Sequence, residues 1–243
     1  MNDSLLCDSL PTRRLLDLET VLVAGATGYI GGRLVPELVA RGYRVRVMVR
    51  SEAERAAERW AACEVVVADA LESASLEVAM EGVHTVFYLI HSMVMGRRSF
   101  EEADRLAAVS VREAAERCGV ERIIYLGGLG RVDERLSRHL ASRMAVAEAL
   151  AAGSVPVTFL RAAVILGSGS ASYEMLNHLV RRLPVLPVPG WAKTQCQPIG
   201  LRDVIKVLVG VLELPETAGR TFDVGGPDVL SYEALLKTHA AVL

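Results

Sequence analysis

Paired cysteines are missing from this chain. Its four, Cys7, Cys63, Cys118 and Cys196, are scattered over 243 residues with no C-x-x-C spacing and no histidine at zinc-ligand distance. That argues against a disulfide framework or a metal site and fits a reducing compartment, so a cytoplasmic location is expected. Long apolar runs are missing as well. None reaches the ~18 residues that a bilayer-spanning helix needs, so no membrane span is expected. Net charge is nearly absent, at −2, which removes the basic surface of a nucleic-acid binder. Lysine is scarce: Lys193, Lys206 and Lys237 are the whole supply. The first 18 residues lack the apolar stretch of a signal peptide, and residues 1–18 read as a loosely attached leader.

What is present is concentrated in one stretch. The apolar run Val21-Leu22-Val23-Ala24 enters Gly25-Ala26-Thr27-Gly28-Tyr29-Ile30-Gly31-Gly32, and a helical pattern follows at once. A dinucleotide diphosphate needs that order. The first glycine permits a tight turn, the second lets backbone approach the phosphates, and the third lets the helix pack closely on the strand. The helix N-terminus then points its N–H groups at the anion. Gly25, Thr27, Gly28, Tyr29, Ile30 and Gly31 are therefore candidate cofactor residues.

Strand and helix signals alternate along the rest. Apolar runs at 45–49, 64–68, 85–90, 122–126 and 157–160 read as buried parallel strands, separated by helical patterns at 32–41, 53–61, 76–81, 100–118 and 136–152. Gly42, Gly82, Gly119 and Gly153 stand where helices should stop. The expected fold is α/β, a doubly wound parallel Rossmann sheet over residues 19–160 with a small C-terminal substrate lobe over 161–243. The lobe is expected to be discontinuous: a helix near 173–182, a proline-rich segment, an extended piece around 195–199, a helix at 201–212 and a strand at 221–224. A final helix at 232–242 has no cap after it, so the chain reads as a fragment of something longer.

The end of the second strand discriminates between nicotinamide cofactors. An NAD site places an acid there for the ribose 2′-hydroxyl, whereas an NADP site replaces it with arginine. Here the strand ends Val47-Met48-Val49-Arg50-Ser51. Arg50 can fork onto a 2′-phosphate, Ser51 can add a hydrogen bond, and Arg33 is a second basic candidate. NADP(H) is favoured, with NAD(H) the alternative. Asp69 can accept from the adenine amino group with Ala70 beside it, or can be a turn or capping aspartate. Leu89, Ile90 and His91 should line the wall beside the central phosphates and ribose, His91 as a polar handle or a plain loop histidine.

The glycine motif and the segments Tyr88–Met93, Tyr125–Gly130, Ser137–Arg143, Leu160–Ser170 and Gln197–Ile199 together resemble the atypical branch of the short-chain dehydrogenase/reductase superfamily. Within it the NmrA-like group and related bacterial NAD(P)-binding proteins are the nearest match. The resemblance spans nearly the whole chain and implies a Rossmann fold, a bound nicotinamide cofactor and a small substrate lobe. It also implies that Leu126 lines the cofactor site, that Ala162 and Ala163 approach the carboxamide, and that Gln195, Gln197 and Trp191 belong to the substrate wall.

One departure matters more. Active members of that superfamily use a Tyr and a Lys one helical turn apart, and none of the six tyrosines here is followed by Lys at that spacing. The corresponding helix offers His139 and Arg143, which share a face at i and i+4. Arg143 can hold the ribose, and His139, with a reference pKa of about 6.5, can exchange a proton near neutrality. Ser137 and Tyr173 are candidates for the serine that the superfamily places after the fifth strand. The catalytic candidates are thus His139, Arg143 and Tyr173. Two functions compete: an oxidoreductase acting on a small apolar carbonyl or alcohol, and a non-catalytic NADP(H)-binding sensor or assembly module. Epimerase chemistry would need a further proton-relay pair. The partner is a small-molecule substrate or none, with the chain a monomer or a homodimer; a dimer through the fourth and fifth helices is common among relatives, but the charges there, Asp104 among them, permit a monomer as well.

Overall fold

The computed structural model describes residues 7, 10–15, 20–51, 53–91, 99–130, 138–182 and 190–242. In chain order, β1 (Thr20–Ala24) leads to α1 (Gly31–Ala40), β2 (Arg44–Val49) to α2 (Ala53–Arg59) and β3 (Glu64–Val67) to α3 (Ser73–Met80). Then β4 (Val83–Tyr88) leads to α4 (Ser99–Arg117) and β5 (Arg122–Gly128) to α5 (Arg138–Ala151). After β6 (Val157–Ala162) come β7 (Ile165–Leu166), α6 (Ala171–Arg182), β8 (Gln195–Cys196), β9 (Ile199–Gly200) and α7 (Leu201–Glu213). The chain continues through β10 (Thr221–Val224) and β11 (Leu230–Ser231) to α8 (Tyr232–Val242).

The main sheet runs β10-β6-β5-β4-β1-β2-β3, with every neighbouring pair parallel. Strand order reverses at β1, which lies between β2 and β4, so the C-terminal ends of these three strands frame a crevice. Side chains alternate across the sheet as the pleat requires. Val21 and Val23 of β1 pack with Leu34 and Leu38 of α1 and Leu208 of α7, on one face. Leu22 and Ala24 pack with Val111 of α4 and Leu150 of α5, on the other. Both faces are covered by helices, which is why β1 reads as an unbroken apolar run.

The expected strands and helices are present, with shifted ends. Helix α3 begins at Ser73, ahead of the expected 76, and β4 stops at Tyr88, so Leu89, Ile90 and His91 leave the sheet as a loop. Residues beyond the expected boundary at 160 return to the core. β10 is the seventh strand, beside β6, and α7 packs with α1 in the first apolar layer. What stands apart is smaller: the β7–β9 and β8–β11 pairs, with Leu176 of α6 against Leu235 and Leu236 of α8. Gly153 has no positive φ, unlike Gly42, Gly82 and Gly119. A Cβ there would overlap Glu116 and Arg112 of α4, so that glycine serves close packing.

The leader is tied down where it is described. Cys7 N–H donates to Glu37 Oε2 at 2.9 Å, Leu15 N–H to the Tyr43 hydroxyl at 3.3 Å, and the Thr12 carbonyl accepts from Arg41 at 3.0 Å. Arg41 also forks onto the fully buried Glu213 side chain at 2.8 and 2.7 Å, and the Tyr43 hydroxyl donates to the same carboxylate at 2.9 Å. This cluster joins the end of α1, the start of β2 and the last turn of α7. Burial alone would raise the Glu213 pKa, but the hydrogen bonds from Arg41 and Tyr43 outweigh it and hold it below the usual glutamate value. A depressed folded-state pKa means the pair's stabilisation is complete above the unfolded value and is lost as pH falls through the folded one. Glu213→Ala leaves Arg41 without its carboxylate and is expected to lower unfolding stability by about 3 kcal/mol. Urea denaturation at pH 7 checks this, and the difference from wild type should shrink below pH 4.

Candidate functional site

The β1–α1 turn is built around two contacts that only glycine allows. Gly25 has φ +97°, and a Cβ there would stand 2.7 Å from the Leu89 carbonyl carbon and oxygen. At Gly31 a Cβ would overlap the Gly25 carbonyl oxygen. Gly28 N–H closes the turn on the Gly25 carbonyl at 3.0 Å. The N-cap of α1 is Ile30, which has no side chain to accept from the first-turn amides, and that turn carries no acid. Gly32 and Arg33 N–H already donate to the Gly28 and Ile30 carbonyls, at 2.9 and 3.0 Å, so what suits the turn to a diphosphate is the positive end of the helix dipole behind side-chain-free backbone. Gly167 widens the mouth: a Cβ there would stand 2.5 Å from the Tyr29 hydroxyl, which therefore rests on the loop before α6. Burial raises the Tyr29 pKa, against the pull of Arg33.

Beside the turn, β2 ends at Val49, with Arg50 and Ser51 exposed and carrying no acid. Arg59 adds a cation that sequence reasoning missed, its guanidinium lying against Gly32 and stacked on Trp60 at 4.6 Å. Asp69 is a turn aspartate: its Oδ1 accepts from Leu71 N–H at 2.9 Å, and Ala70 beside it is buried.

On the α4–α5 side, the loop after β4 brings His91 to a polar cluster. Its Nδ1 lies 3.3 Å from Oδ2 of Asp104, a carboxylate only 4% exposed as a residue. The His91 ring meets His139 of α5 edge-to-face, centroids 5.0 Å apart. One turn further along α5, Arg143 lies over the Tyr125 ring at 5.8 Å, while the Tyr125 hydroxyl donates to the Arg143 carbonyl at 3.1 Å. The Arg143 Nε is buried without an acceptor among the described residues. Burial pushes Tyr125 up to about 12 and raises Tyr88 still further, so both phenols stay protonated and serve as walls. His139 moves the other way: partial burial, then the nearby charges of His91 and Arg143, lower its pKa against the opposing pull of Asp104.

Residues 25–177 match the family described as NAD(P)H-binding, more than half of the chain. The chain belongs to that family. By fold and departure from the Tyr–Lys pattern it is an atypical short-chain dehydrogenase/reductase. Among curated relatives, it is 29% identical over 88% of its length to the mitochondrial NADH dehydrogenase [ubiquinone] 1 alpha subcomplex subunit 9 of Arabidopsis thaliana, covering 55% of that protein. It is 31% identical over 69% of its length to ceramide reductase of Caulobacter vibrioides, covering 53% of that protein. The chain therefore spans about half the length of these relatives. A solved nucleoside-diphosphate-sugar epimerase from Staphylococcus aureus has the same fold, with a TM-score of 0.76 and 18% identity, over 91% of this chain and 77% of that one.

As an NAD(P)H-binding protein, the chain places the other expected residues unevenly. Leu89 and Ile90 are half-buried, with their backbone against Gly25 of the turn. Leu126 points into the core between sheet and α1. The Ala162 carbonyl accepts from Leu129 N–H at 2.7 Å and Ala163 N–H donates to the Val224 carbonyl at 2.9 Å. Tyr173 sits at the start of α6 with its ring edge-on to His239 of α8, centroids 5.3 Å apart, so the structure groups it with the lobe. Arg161 pairs with Asp223 at 2.6 Å, the structural alternative to a substrate contact. Gln197 donates to the Gly226 carbonyl at 2.5 Å, and Gln195 is exposed. Ser137 and the Trp191 side chain lie outside the described residues. No group of metal-ligating side chains occurs among the described residues, nor any helix long and apolar enough to cross a membrane.

Gly31→Ala forces the turn off the Gly25 carbonyl. It is expected to weaken dinucleotide binding by about tenfold or more, ~1.4 kcal/mol or above, as measured by calorimetric titration. Gly82→Ala, where a Cβ meets nothing within 4 Å, should leave binding unchanged.

Proposed function

We propose that this chain is an NADPH-dependent oxidoreductase of the NmrA-like kind, acting on a small apolar carbonyl or alcohol in the cytoplasm. The observation that supports it best is the cluster of His91, Asp104, His139 and Arg143 at the C-terminal edge of the sheet, beside the glycine turn. Burying a carboxylate is costly unless it is paired, and a module that only holds a dinucleotide has no use for two imidazoles set against that pair.

In this reading NADPH, when bound, supplies the hydride. The α1 amides hold its diphosphate, Arg50 and Ser51 its 2′-phosphate, and the Asp69 oxygen not engaged in the turn its adenine. Arg143 takes the ribose through the open Nε donor, and His139 supplies the proton to the substrate oxygen. Leu89 and Ile90 line the apolar side of the site. Leu176 packs in the lobe against Leu235 and Leu236 and does not join that wall, while Met175 beside it is exposed.

The second reading, a non-catalytic NADP(H)-binding sensor or assembly module, is favoured by one observation: the sequence has no Tyr–Lys pair. The relative in a respiratory complex subunit agrees with it. Purified protein is expected to bind NADPH about tenfold more tightly than NADH, and Arg50→Ala should erase that difference; equal affinities in the wild type would remove the NADP reading. Oxidation of NADPH across a panel of carbonyl compounds separates the two functions. The enzyme reading expects turnover that His139→Ala abolishes and cofactor binding that Arg143→Ala weakens, whereas the module reading expects binding without turnover.

A further inference from the structure

We propose that Asp104, His91 and His139 form a proton relay that takes the place of the absent Tyr–Lys pair: Asp104 orients His91, and His91 recharges His139 after each proton transfer. The inference rests on the reductase reading and deepens it by naming the source of the proton.

The geometry is that of a carboxylate holding one imidazole against a second. Asp104 Oδ2 lies 3.3 Å from His91 Nδ1, close enough to pair with a charged imidazole. The same ring touches His139 edge-to-face, and His139 keeps a solvent-exposed edge. Asp104 lies on the buried stripe of α4 with Ala107, Ala108, Val111 and Ala115, a place where an unpaired carboxylate would be strongly destabilising. A lone His139 would be a poor acid at neutrality, because desolvation, His91 and Arg143 all disfavour its charged form. It needs a neighbour that delivers a proton as the reaction draws one off. Among the described residues, the charged and titratable groups facing the pair are Tyr88 from β4, Asp104 from α4, Tyr125 from β5 and Arg143 from α5. Both phenols have raised pKa values and arginine stays charged, so none of these three takes part in proton exchange near neutrality.

The hydride adds to the carbonyl carbon, the C=O π pair takes the proton from the His139 imidazolium, and His91 passes its proton to His139. Water then reloads His91 while Asp104 remains ionised. The net change is carbonyl plus NADPH plus one proton giving alcohol plus NADP+.

Histidine-labelled protein titrated by NMR without any substrate tests the coupling. His91→Phe should raise the His139 midpoint, since it removes a like charge, and Asp104→Asn should lower it. With decanal as the probe, both variants should lose about tenfold or more in kcat at pH 8, and the loss should shrink towards pH 5, where solvent protonates His139 directly. NADPH binding, followed by fluorescence, should stay within about twofold of wild type. Should Asp104→Asn fail to fold, His91→Gln carries the same readouts. His139 midpoints unmoved in the variants, or a kcat loss equal at all pH values, would overturn the relay. Absence of NADPH binding to wild-type protein instead overturns the cofactor reading, and the histidine titrations still decide whether the rings are coupled.

Discussion

The contact between the α-carbon of Gly31 and the carbonyl of Gly25 governs how everything else in this molecule is placed. With no side chain at either position, α1 starts directly above the end of β1, and the end of β1 closes against Leu89 at the end of β4. That closeness brings the first-turn amides of α1 and the Leu89–His91 loop to the same crevice. One side of the crevice then offers partial positive charge to an anion, and the other offers imidazoles. A methyl group at Gly31 would separate strand from helix and spoil both together.

The polar groups fall into two kinds. Two buried charged groups far from the crevice are satisfied within the protein. Glu213 is held by Arg41 and Tyr43, and Arg122, whose pKa burial pulls down to about 10, donates to Thr158 at 3.0 and 2.7 Å. Near the crevice satisfaction is incomplete: among the described residues, the Arg143 Nε and the Tyr29 hydroxyl are buried without a hydrogen-bond partner. Such groups cost stability in the free protein, and a ligand carrying hydroxyls and phosphates satisfies them. The match to the NAD(P)H-binding family agrees with this pattern.

Much of this was legible in the sequence. Runs such as Val21–Ala24 and the β5 core are apolar over their whole length because helices cover both faces, so strand positions came out within about two residues. The glycine turn was equally plain, because it depends on residues adjacent in the chain. Asp104 was not recognised: it was counted only among the α4 charges that permit a monomer, although it shares the helical spacing of Ala107, Ala108, Val111 and Ala115, which are buried. A charge on an otherwise apolar stripe was the available signal. Asp69 was readable only as an alternative, and the turn role is the one its Oδ1 adopts. Gly153 was read as a helix stop, but its requirement comes from Glu116 and Arg112 on a different helix, about which local pattern says nothing.

The sequence by itself determined the parallel α/β architecture, the diphosphate turn and the absence of the superfamily's Tyr–Lys pair, since each depends on short spacings along one stretch of chain. Only the tertiary structure decided that β10 and α7 rejoin the main sheet and its first apolar layer, and that Tyr173 belongs to the lobe beside His239. It alone also placed Asp104, His91 and His139 in contact. Those relations join segments tens of residues apart, and they are set by how helices pack across the sheet, which no local periodicity encodes.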